Sequence, residues 1–199
     1  LALGFTNYYD SGSANTNNKG LFIDCPLEIV ELNRKLSYKA GSDYGYSPFA
    51  NISTLKRFTI GEQLTSVYNY IFYGDKYLSE VNLAETITAI GNYSFADCVS
   101  LTSLQIPATV TSIGDYAFRG CTGFTKFLWG TGVETVGAYA FSGCTSLTTL
   151  NIPGHVKSIG NRAFQNCKNI TTMKFESGTE VLALGFTNYY DSGSANTNN

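Results

Sequence analysis

The chain has 199 residues, of which 43% are hydrophobic and 14% are charged, and its formal net charge is −2. Apolar sequence spread along nearly the whole length supports one packed core and excludes an intrinsically disordered chain. The near-neutral charge argues against a nucleic-acid-binding face, and no apolar run is long enough to cross a bilayer. We therefore expect neither nucleic acid as a partner nor membrane insertion.

The two ends of the chain carry the same sequence. Residues 1–18, LALGFTNYYDSGSANTNN, recur unchanged as residues 182–199. The first residues include no initiator methionine and no charged-then-apolar leader, so we expect a mature fragment or an excised segment. We favour one period of 181 residues, with an overlap, from a longer tandem array. Two other interpretations stay open: a short chain whose equivalent ends exchange between neighbours to build a filament, and a duplication that arose in expression.

A nine-residue motif divides the chain into repeats. It reads IGNYSFADC at 90–98, and three further copies, IGDYAFRGC, VGAYAFSGC and IGNRAFQNC, each begin 23 residues after the one before. Weaker copies in the same register extend back to residue 20, with polar insertions near 6–20 and 38–48. We therefore predict a single solenoid domain over 1–199 with seven repeats. The repeats are anchored at Cys25, Ile52, Asp75, Cys98, Cys121, Cys144 and Cys167.

Each repeat is predicted to combine one strand with one turn. LTSLQIP, residues 101–107, alternates apolar and polar side chains, which indicates a short strand that ends at Pro107. The following V-x-x-I-G-x-x-A-F segment spaces apolar residues by three and four, which predicts one helical or 3-10 turn. Its glycine, Gly114 here, is expected to supply a tight bend with positive φ. One repeat cannot bury its apolar side alone, so we expect the strands to stack about 4.8 Å apart in a parallel sheet.

The repeat resembles a known family. LTSLQIPATVTSIGDYAFRGC, residues 101–121, is similar to the BspA-type (treponemal) leucine-rich repeat, with its C-x-x-L-x-x-L-x-I-P-x-x-V-x-x-I-G-x-x-A-F skeleton. The match is nearly complete over 78–175 and weaker over 20–77. We predict a leucine-rich-repeat solenoid, a right-handed coil with a parallel β-sheet on one face and short helical or 3-10 turns on the other. The resemblance further implies a secreted or surface-anchored microbial protein that adheres to host proteins or to other cells.

Two columns of side chains are predicted from the 23-residue spacing. The cysteines that end the motif should point into the core and pack as reduced thiols, because no C-x-x-C pair suggests a metal site. A tyrosine also recurs at this spacing, and it is followed by Arg162 in the next repeat. We favour a structural ladder on the convex side over a carbohydrate-binding platform. The tyrosines are Tyr70, Tyr93, Tyr116 and Tyr139.

No catalytic chemistry is indicated by the sequence. The chain has one histidine, His155, and lacks G-x-S-x-G, H-E-x-x-H and P-loop motifs. The acidic residues fall at no common position, and the loop YYDSGSANTNN holds a single aspartate, too few for a calcium loop. We expect a protein without enzymatic activity, catalytic residues, a metal site or a cofactor.

The outward side of the predicted strands is the candidate binding surface. If alternate strand residues point inward, their neighbours form a polar face of mixed charge that lacks aromatic anchors. Such a face suits a broad, weak contact with a protein of a host or neighbouring cell surface or matrix, which an array would strengthen by avidity. We expect an extracellular or cell-surface location, and the alternative function is a fibre subunit assembled end to end. The candidates are Arg57, Thr59, Glu80, Asn82, Ser103, Gln105, Lys126, Leu128, Thr149, Asn151, Thr172 and Lys174.

Overall fold

The computed structural model describes residues 21–22, 24–38, 47–179 and 181–185. The predicted insertion near 6–20 lies outside the described residues, as does most of the insertion near 38–48. Of the duplicated segment at the end of the chain, only residues 182–185 are described. The account that follows concerns the described parts of the chain.

Parallel strands stack on one face of the solenoid and form the first sheet. Arg57 pairs with Glu80, and Thr149 pairs with Thr172, so paired residues in successive coils are 23 positions apart. The central coils contribute only a bridge between Gln105 and Leu128. This sheet confirms the predicted period and the predicted strands. Its strands are β1 (Ile29–Leu32), β2 (Arg57–Ile60), β4 (Glu80–Leu83), β8 (Thr149–Ile152) and β10 (Thr172–Phe175).

A second parallel sheet was not predicted. It uses two residues from each coil, immediately before the glycine of the motif, where the apolar spacing had suggested a helical turn. The second residue of each pair is buried from Val67 to Ile159, so this sheet closes the core on a second side. Its strands are β3 (Ser66–Val67), β5 (Ala89–Ile90), β6 (Ser112–Ile113), β7 (Thr135–Val136), β9 (Ser158–Ile159) and β11 (Ala183–Leu184).

The predicted helical or 3-10 turns are hydrogen-bonded turns instead, and no helix occurs among the described residues. The backbone amides after the motif glycine donate to the next coil rather than to their own. Tyr93 N–H donates to the Asp115 carbonyl at 2.9 Å, and Phe95 N–H donates to the Ala117 carbonyl at 2.8 Å. Amides aimed at a neighbouring coil cannot form the local bonds of a helix. Stacking of the coils therefore replaces helix formation on this side.

The motif glycine is required by close approach, and the prediction that it has positive φ is wrong. A Cβ at Gly137 would lie 2.5 Å from the Asp115 nitrogen and 2.5 Å from the Gly114 carbonyl carbon, both in the preceding coil. Positive φ occurs two residues later, at Tyr139 with φ 55°. That left-handed conformation turns the Tyr139 amide along the solenoid axis, where it donates to the Asn161 carbonyl at 2.9 Å.

Gly137→Ala is expected to lower the free energy of unfolding by roughly 2 kcal/mol, because the new methyl group meets backbone that cannot move without separating two coils. Urea denaturation followed by circular dichroism would measure the change. Thr135→Ala, at an exposed position of the same coil, is the control and should change stability by less than about 0.5 kcal/mol. Equal stability of the two variants would contradict the close-approach explanation.

A column of stacked phenylalanines forms the centre of the core. Ring centroids lie 5.0 Å apart between Phe72 and Phe95, 5.1 Å apart between Phe95 and Phe118, and 5.2 Å apart between Phe118 and Phe141. Phe164 continues the column at 5.3 Å from Phe141. The first four of these side chains are fully buried. The column explains why the motif keeps phenylalanine at one position in every coil.

The cysteines form a second column, and the prediction of reduced thiols is confirmed for the described cysteines. Cys98 and Cys121 are fully buried. Each thiol donates to a backbone carbonyl of the preceding coil, as Cys121 Sγ does to Phe95 at 3.0 Å. Burial raises the pKa of the Cys98 and Cys121 thiols. These cysteines are therefore structural groups and not nucleophiles.

Candidate functional site

The first-sheet face is the outward side of the first sheet and its two bridged coils. Alternation along each strand turns Phe58 and Ile60 into the core and their neighbours outward, as the strand pattern predicts. Most of the candidate side chains are exposed, and Thr59 and Leu128 are half-buried. The exposed candidates are Arg57, Glu80, Asn82, Ser103, Gln105, Lys126, Thr149, Asn151, Thr172 and Lys174.

The charges at the first coils of this face neutralise one another. Arg57 Nε lies 2.8 Å from Glu80 Oε2, and Asn82 Nδ2 donates to Glu80 Oε1 at 3.3 Å. The hydrogen bond from Arg57, supported by the one from Asn82, lowers the pKa of Glu80. Both members of the ion pair are half exposed, so the pair organises the surface more than it stabilises the fold.

Lys126 and Lys174 differ from Arg57, because neither forms an ion pair within the described part of the chain. Between them the face carries only neutral polar groups, including Thr149 and Asn151. The face is therefore positive toward the C-terminal coils and neutral toward the first ones. Uncharged hydroxyls and amides beside free lysines offer hydrogen bonds and weak attraction to an acidic protein surface.

The tyrosines stack as a ladder along the turn side of the solenoid. Ring centroids lie 4.8 Å apart for Tyr70 and Tyr93, 4.5 Å for Tyr93 and Tyr116, and 4.8 Å for Tyr116 and Tyr139, with interplanar angles of 4–8°. Arg162 ends the ladder, since its guanidinium carbon lies 5.7 Å from the Tyr139 centroid and its Nη1 donates to the Tyr139 hydroxyl at 2.6 Å. The ring faces that a sugar would stack on are covered by neighbouring rings. This geometry favours the structural ladder over the carbohydrate platform.

A ladder of amides and a carboxylate runs beside the tyrosines, and the sequence analysis missed it. Asn69 Oδ1 accepts from the Asn92 amide at 2.8 Å, and Asn92 Oδ1 accepts from the Asp115 amide at 2.9 Å. Asp115 Oδ1 continues the ladder by accepting from the Ala138 amide at 2.7 Å. The signal was present, because Asn or Asp follows or adjoins the motif glycine at the same 23-residue spacing.

Asp75 is a second residue whose role the sequence did not show. It takes the cysteine position of the motif and is fully buried. Its Oδ1 accepts from the Ile52 amide at 2.7 Å, while its Oδ2 has no hydrogen-bond partner among the described residues. Burial raises the pKa of this carboxyl well above its usual range, against the smaller opposing effect of the Ile52 hydrogen bond. A closed core surrounds the group, so it is structural and not a general acid that substrate could reach.

The other chemistry of the described residues gives no reaction centre. No group of three or more histidine, cysteine, aspartate or glutamate side chains is placed to hold a metal ion in the described ranges. His155 is half-buried, with Nε2 3.3 Å from the Gly130 carbonyl oxygen. Nowhere in the described chain is there a helix of the length and hydrophobicity that a membrane crossing requires.

Comparisons with solved structures find the same architecture. A leucine-rich repeat protein from Bacteroides ovatus is 28% identical, with a TM-score of 0.59 over 75% of this chain and 36% of that chain. This chain therefore spans about a third of the length of that protein. The leucine rich repeat protein of T. pallidum is 18% identical, with a TM-score of 0.56 over 70% of this chain and 82% of that chain.

A third structure is described as the pneumococcal vaccine antigen PcpA. It is 17% identical, with a TM-score of 0.53 over 80% of this chain and 40% of that chain. At this identity the likeness shows the fold alone, as it does for the T. pallidum protein. No curated protein matches the chain.

The sequence profile of one family covers most of the chain. The BspA type leucine rich repeat region matches residues 11–125 and 88–189, with six copies. The matched ranges include the whole first-sheet face, both sheets up to β11 and the phenylalanine and cysteine columns. With its 23-residue parallel coils and this match, the chain belongs to the BspA-type leucine-rich-repeat family.

Proposed function

We propose that this chain is a non-enzymatic protein of the cell surface or extracellular space, and that it adheres to other proteins through the first-sheet face. The observation that carries the proposal is the row of exposed polar side chains on successive coils, with Lys126 and Lys174 free of ion pairs in the described chain. Leucine-rich-repeat proteins generally act by binding proteins. A surface location is supported by the fold shared with PcpA, which is described as a vaccine antigen.

The chemistry of the face sets the kind of partner. Its exposed candidates are short polar side chains and a few charges, without an aromatic anchor, so each chain offers many weak contacts rather than one strong one. The free lysines favour an acidic patch on a host or neighbouring-cell protein or on matrix. Several copies engaged at once would convert weak binding into avidity.

Replacing Arg57 and Lys126 together with alanine is expected to weaken binding to cells or matrix about fivefold, since each partly exposed charge contributes about 0.5 kcal/mol. Binding of the fluorescently labelled chain to intact host cells and to immobilised matrix protein, measured over a concentration series, tests this. Both side chains are exposed, so the melting temperature should stay the same.

The matched control is Lys76→Ala with Lys157→Ala, which lie away from the first-sheet face. Lys157 pairs with Glu134 at 3.0 Å, as Arg57 pairs with Glu80, and Lys76 forms no ion pair in the described residues, as Lys126 forms none. Both double variants remove two positive charges. If they weaken binding equally, the effect is one of net charge and the first-sheet face is rejected as the binding surface.

The fibre subunit remains a second candidate function because of one observation. Met173 and Phe175 are 50% and 53% exposed at the C-terminal end of the solenoid. Exposed core residues at an end favour end-to-end contact, whereas exposed polar residues on a face favour lateral binding.

A further inference from the structure

The apolar core is open at the C-terminal end of the solenoid. Met173 and Phe175 occupy the strand positions that Leu150 and Ile152 occupy one coil earlier. The earlier pair is 2% and 1% exposed, whereas the later pair is half exposed and Leu184 beside it is 45% exposed. A repeat protein needs a polar cap at such an end, or another coil that covers it.

A cavity of about 240 Å³ opens among these side chains. Phe164, the last ring of the phenylalanine column, lines it and is half-buried. At the other end of the column, Phe22 is half-buried and stacks on Phe49 with ring centroids 5.2 Å apart. The column thus ends in a phenylalanine on both sides, and one end borders a hollow of side-chain size.

The backbone of β10 is ready to accept another strand. In a parallel sheet, alternate residues bond to opposite neighbours. Glu176 N–H donates to the Ile152 carbonyl on the β8 side at 2.9 Å. The same alternation turns the amides and carbonyls of Met173 and Phe175 toward the edge that has no partner strand in the described residues.

The backbone of β1 is complementary to that edge. Gly61 N–H donates to the Leu32 carbonyl at 2.9 Å, on the β2 side. By the same alternation, the amides of Ile29 and Glu31 point away from β2, toward an edge without a described partner. Each end of the first sheet therefore offers what the other end lacks.

The register of the first sheet matches the two ends residue by residue. β1 pairs Ile29 with Arg57, the position that Thr172 occupies in β10. Continued for one more coil, this register places Glu31 beside Lys174, both exposed and both without an ion pair in the described chain. The apolar columns also continue: Val30 meets Met173, Leu32 meets Phe175 and Phe22 meets Phe164.

The sequence itself indicates which coil follows the C-terminal end. Residues 182–185, LALG, contribute β11 to the second sheet, and they repeat residues 1–4. In the first copy of the eighteen-residue segment, the chain leads on to Phe22 and β1. The coil encoded after LALG is therefore the N-terminal coil of this same sequence.

We propose that the C-terminal end of one chain binds the N-terminal coil of a second copy head to tail, with β1 of the second copy adding to β10 as the next parallel strand. Residues 182–185 of the first copy already complete the second sheet, so the second copy supplies Phe22 and β1. Such a contact joins two different surfaces and does not close on itself, so it extends into a filament. It is separate from partner binding on the first-sheet face.

Two blocking variants test the proposal with the whole chain. Phe175→Asp places a charge in the open C-terminal end, and Glu31→Pro removes an edge amide of β1 that β2 does not use. Sedimentation velocity from about 1 μM to about 1 mM would measure the mass. The unmodified chain should grow with concentration, and each variant alone should keep the mass of one chain.

The decisive sample is the equimolar mixture of the two variants. Phe175→Asp retains a working N-terminal coil and Glu31→Pro retains a working C-terminal end, so the mixture should form a dimer and stop there. Tyr77→Asp, on an aromatic residue that is 59% exposed and lies in an interior coil, is the control and should assemble like the unmodified chain.

Three results would overturn the proposal: an unmodified chain that stays single at every concentration, association of Phe175→Asp alone, or a mixture that fails to dimerise. Circular dichroism of each variant confirms that it is folded. Cell binding by the Arg57 and Lys126 variant is a separate readout, so the filament and the adhesive face can each fail without the other.

Discussion

Phe118→Ala is expected to lower the free energy of unfolding by about 4 kcal/mol, the largest effect of any single change considered. Phe118 is fully buried and stacks between Phe95 and Phe141. Its ring also meets Phe124 and Phe127 edge-on, at 5.5 and 5.6 Å between centroids. Alanine would leave a hollow in the middle of the column that neighbouring coils, held by backbone bonds on both sides, cannot close.

Urea denaturation followed by circular dichroism would measure this loss, with Tyr77→Ala as the control. Tyr77 is an aromatic residue of the same solenoid that is 59% exposed, so its truncation should cost less than about 0.5 kcal/mol. A Phe118→Ala chain as stable as the control would mean that the column is not the centre of the core. Phe118→Leu keeps most of the volume and is expected to lose roughly half as much.

Asp75→Cys is expected to stabilise the protein by about 3 kcal/mol at pH 7, because it removes a carboxylate from a closed core where one oxygen has no partner among the described residues. Cysteine is the residue that the motif places here in the later coils. There the thiol donates to a carbonyl of the preceding coil, as Cys98 does to Phe72 at 3.1 Å. The variant should therefore fit without rearrangement.

The gain from Asp75→Cys should depend on pH in a definite direction. The pKa of Asp75 in the folded chain is raised above its ordinary value of 3.8, so between the two pKa values the folded state binds more protons than the unfolded state. Stability then falls as pH rises above about 4 and levels off once the folded-state pKa is passed. The advantage of the variant should grow over the same interval and be smallest near pH 3.

Stability curves of the unmodified chain, Asp75→Cys and Asp75→Asn between pH 3 and pH 8 provide the test. Asparagine keeps the size and the acceptor for the Ile52 amide but cannot titrate, so its curve should lack the Asp75 contribution, as the cysteine curve does. If the difference between the unmodified chain and both variants does not change with pH, Asp75 is not a buried titrating group.

Much of the fold is local information and could be predicted. The 23-residue spacing of apolar side chains, together with Pro107 after a strand, predicts coils, strands and a parallel stack without knowledge of the tertiary structure. The thiol column follows in the same way, since Cys98 and Cys121 recur at one position of the period. A side chain at the same point of every coil must meet its equivalents when the coils stack.

The sequence did not show where unsatisfied backbone amides would go. The segment after Gly114 has the apolar spacing of a helical turn, and the turn would be helical if its amides bonded locally. In the folded chain they bond to the next coil, which places Tyr116 at φ 56°. The choice depends on a neighbouring coil 23 residues away, and local spacing carries no record of it. For the same reason the second sheet was missed.

The candidate site divides along the same line. Which side chains face outward on the first sheet followed from strand alternation alone. That Arg57 is neutralised by Glu80 while Lys126 forms no ion pair in the described chain depends on which residues become neighbours across coils. The sequence by itself determined the period, the strands and the residues of the core, because these repeat along the chain. Only the tertiary structure decided the turns, the buried Asp75 and the open C-terminal end, because each depends on contact, or lack of contact, with another coil.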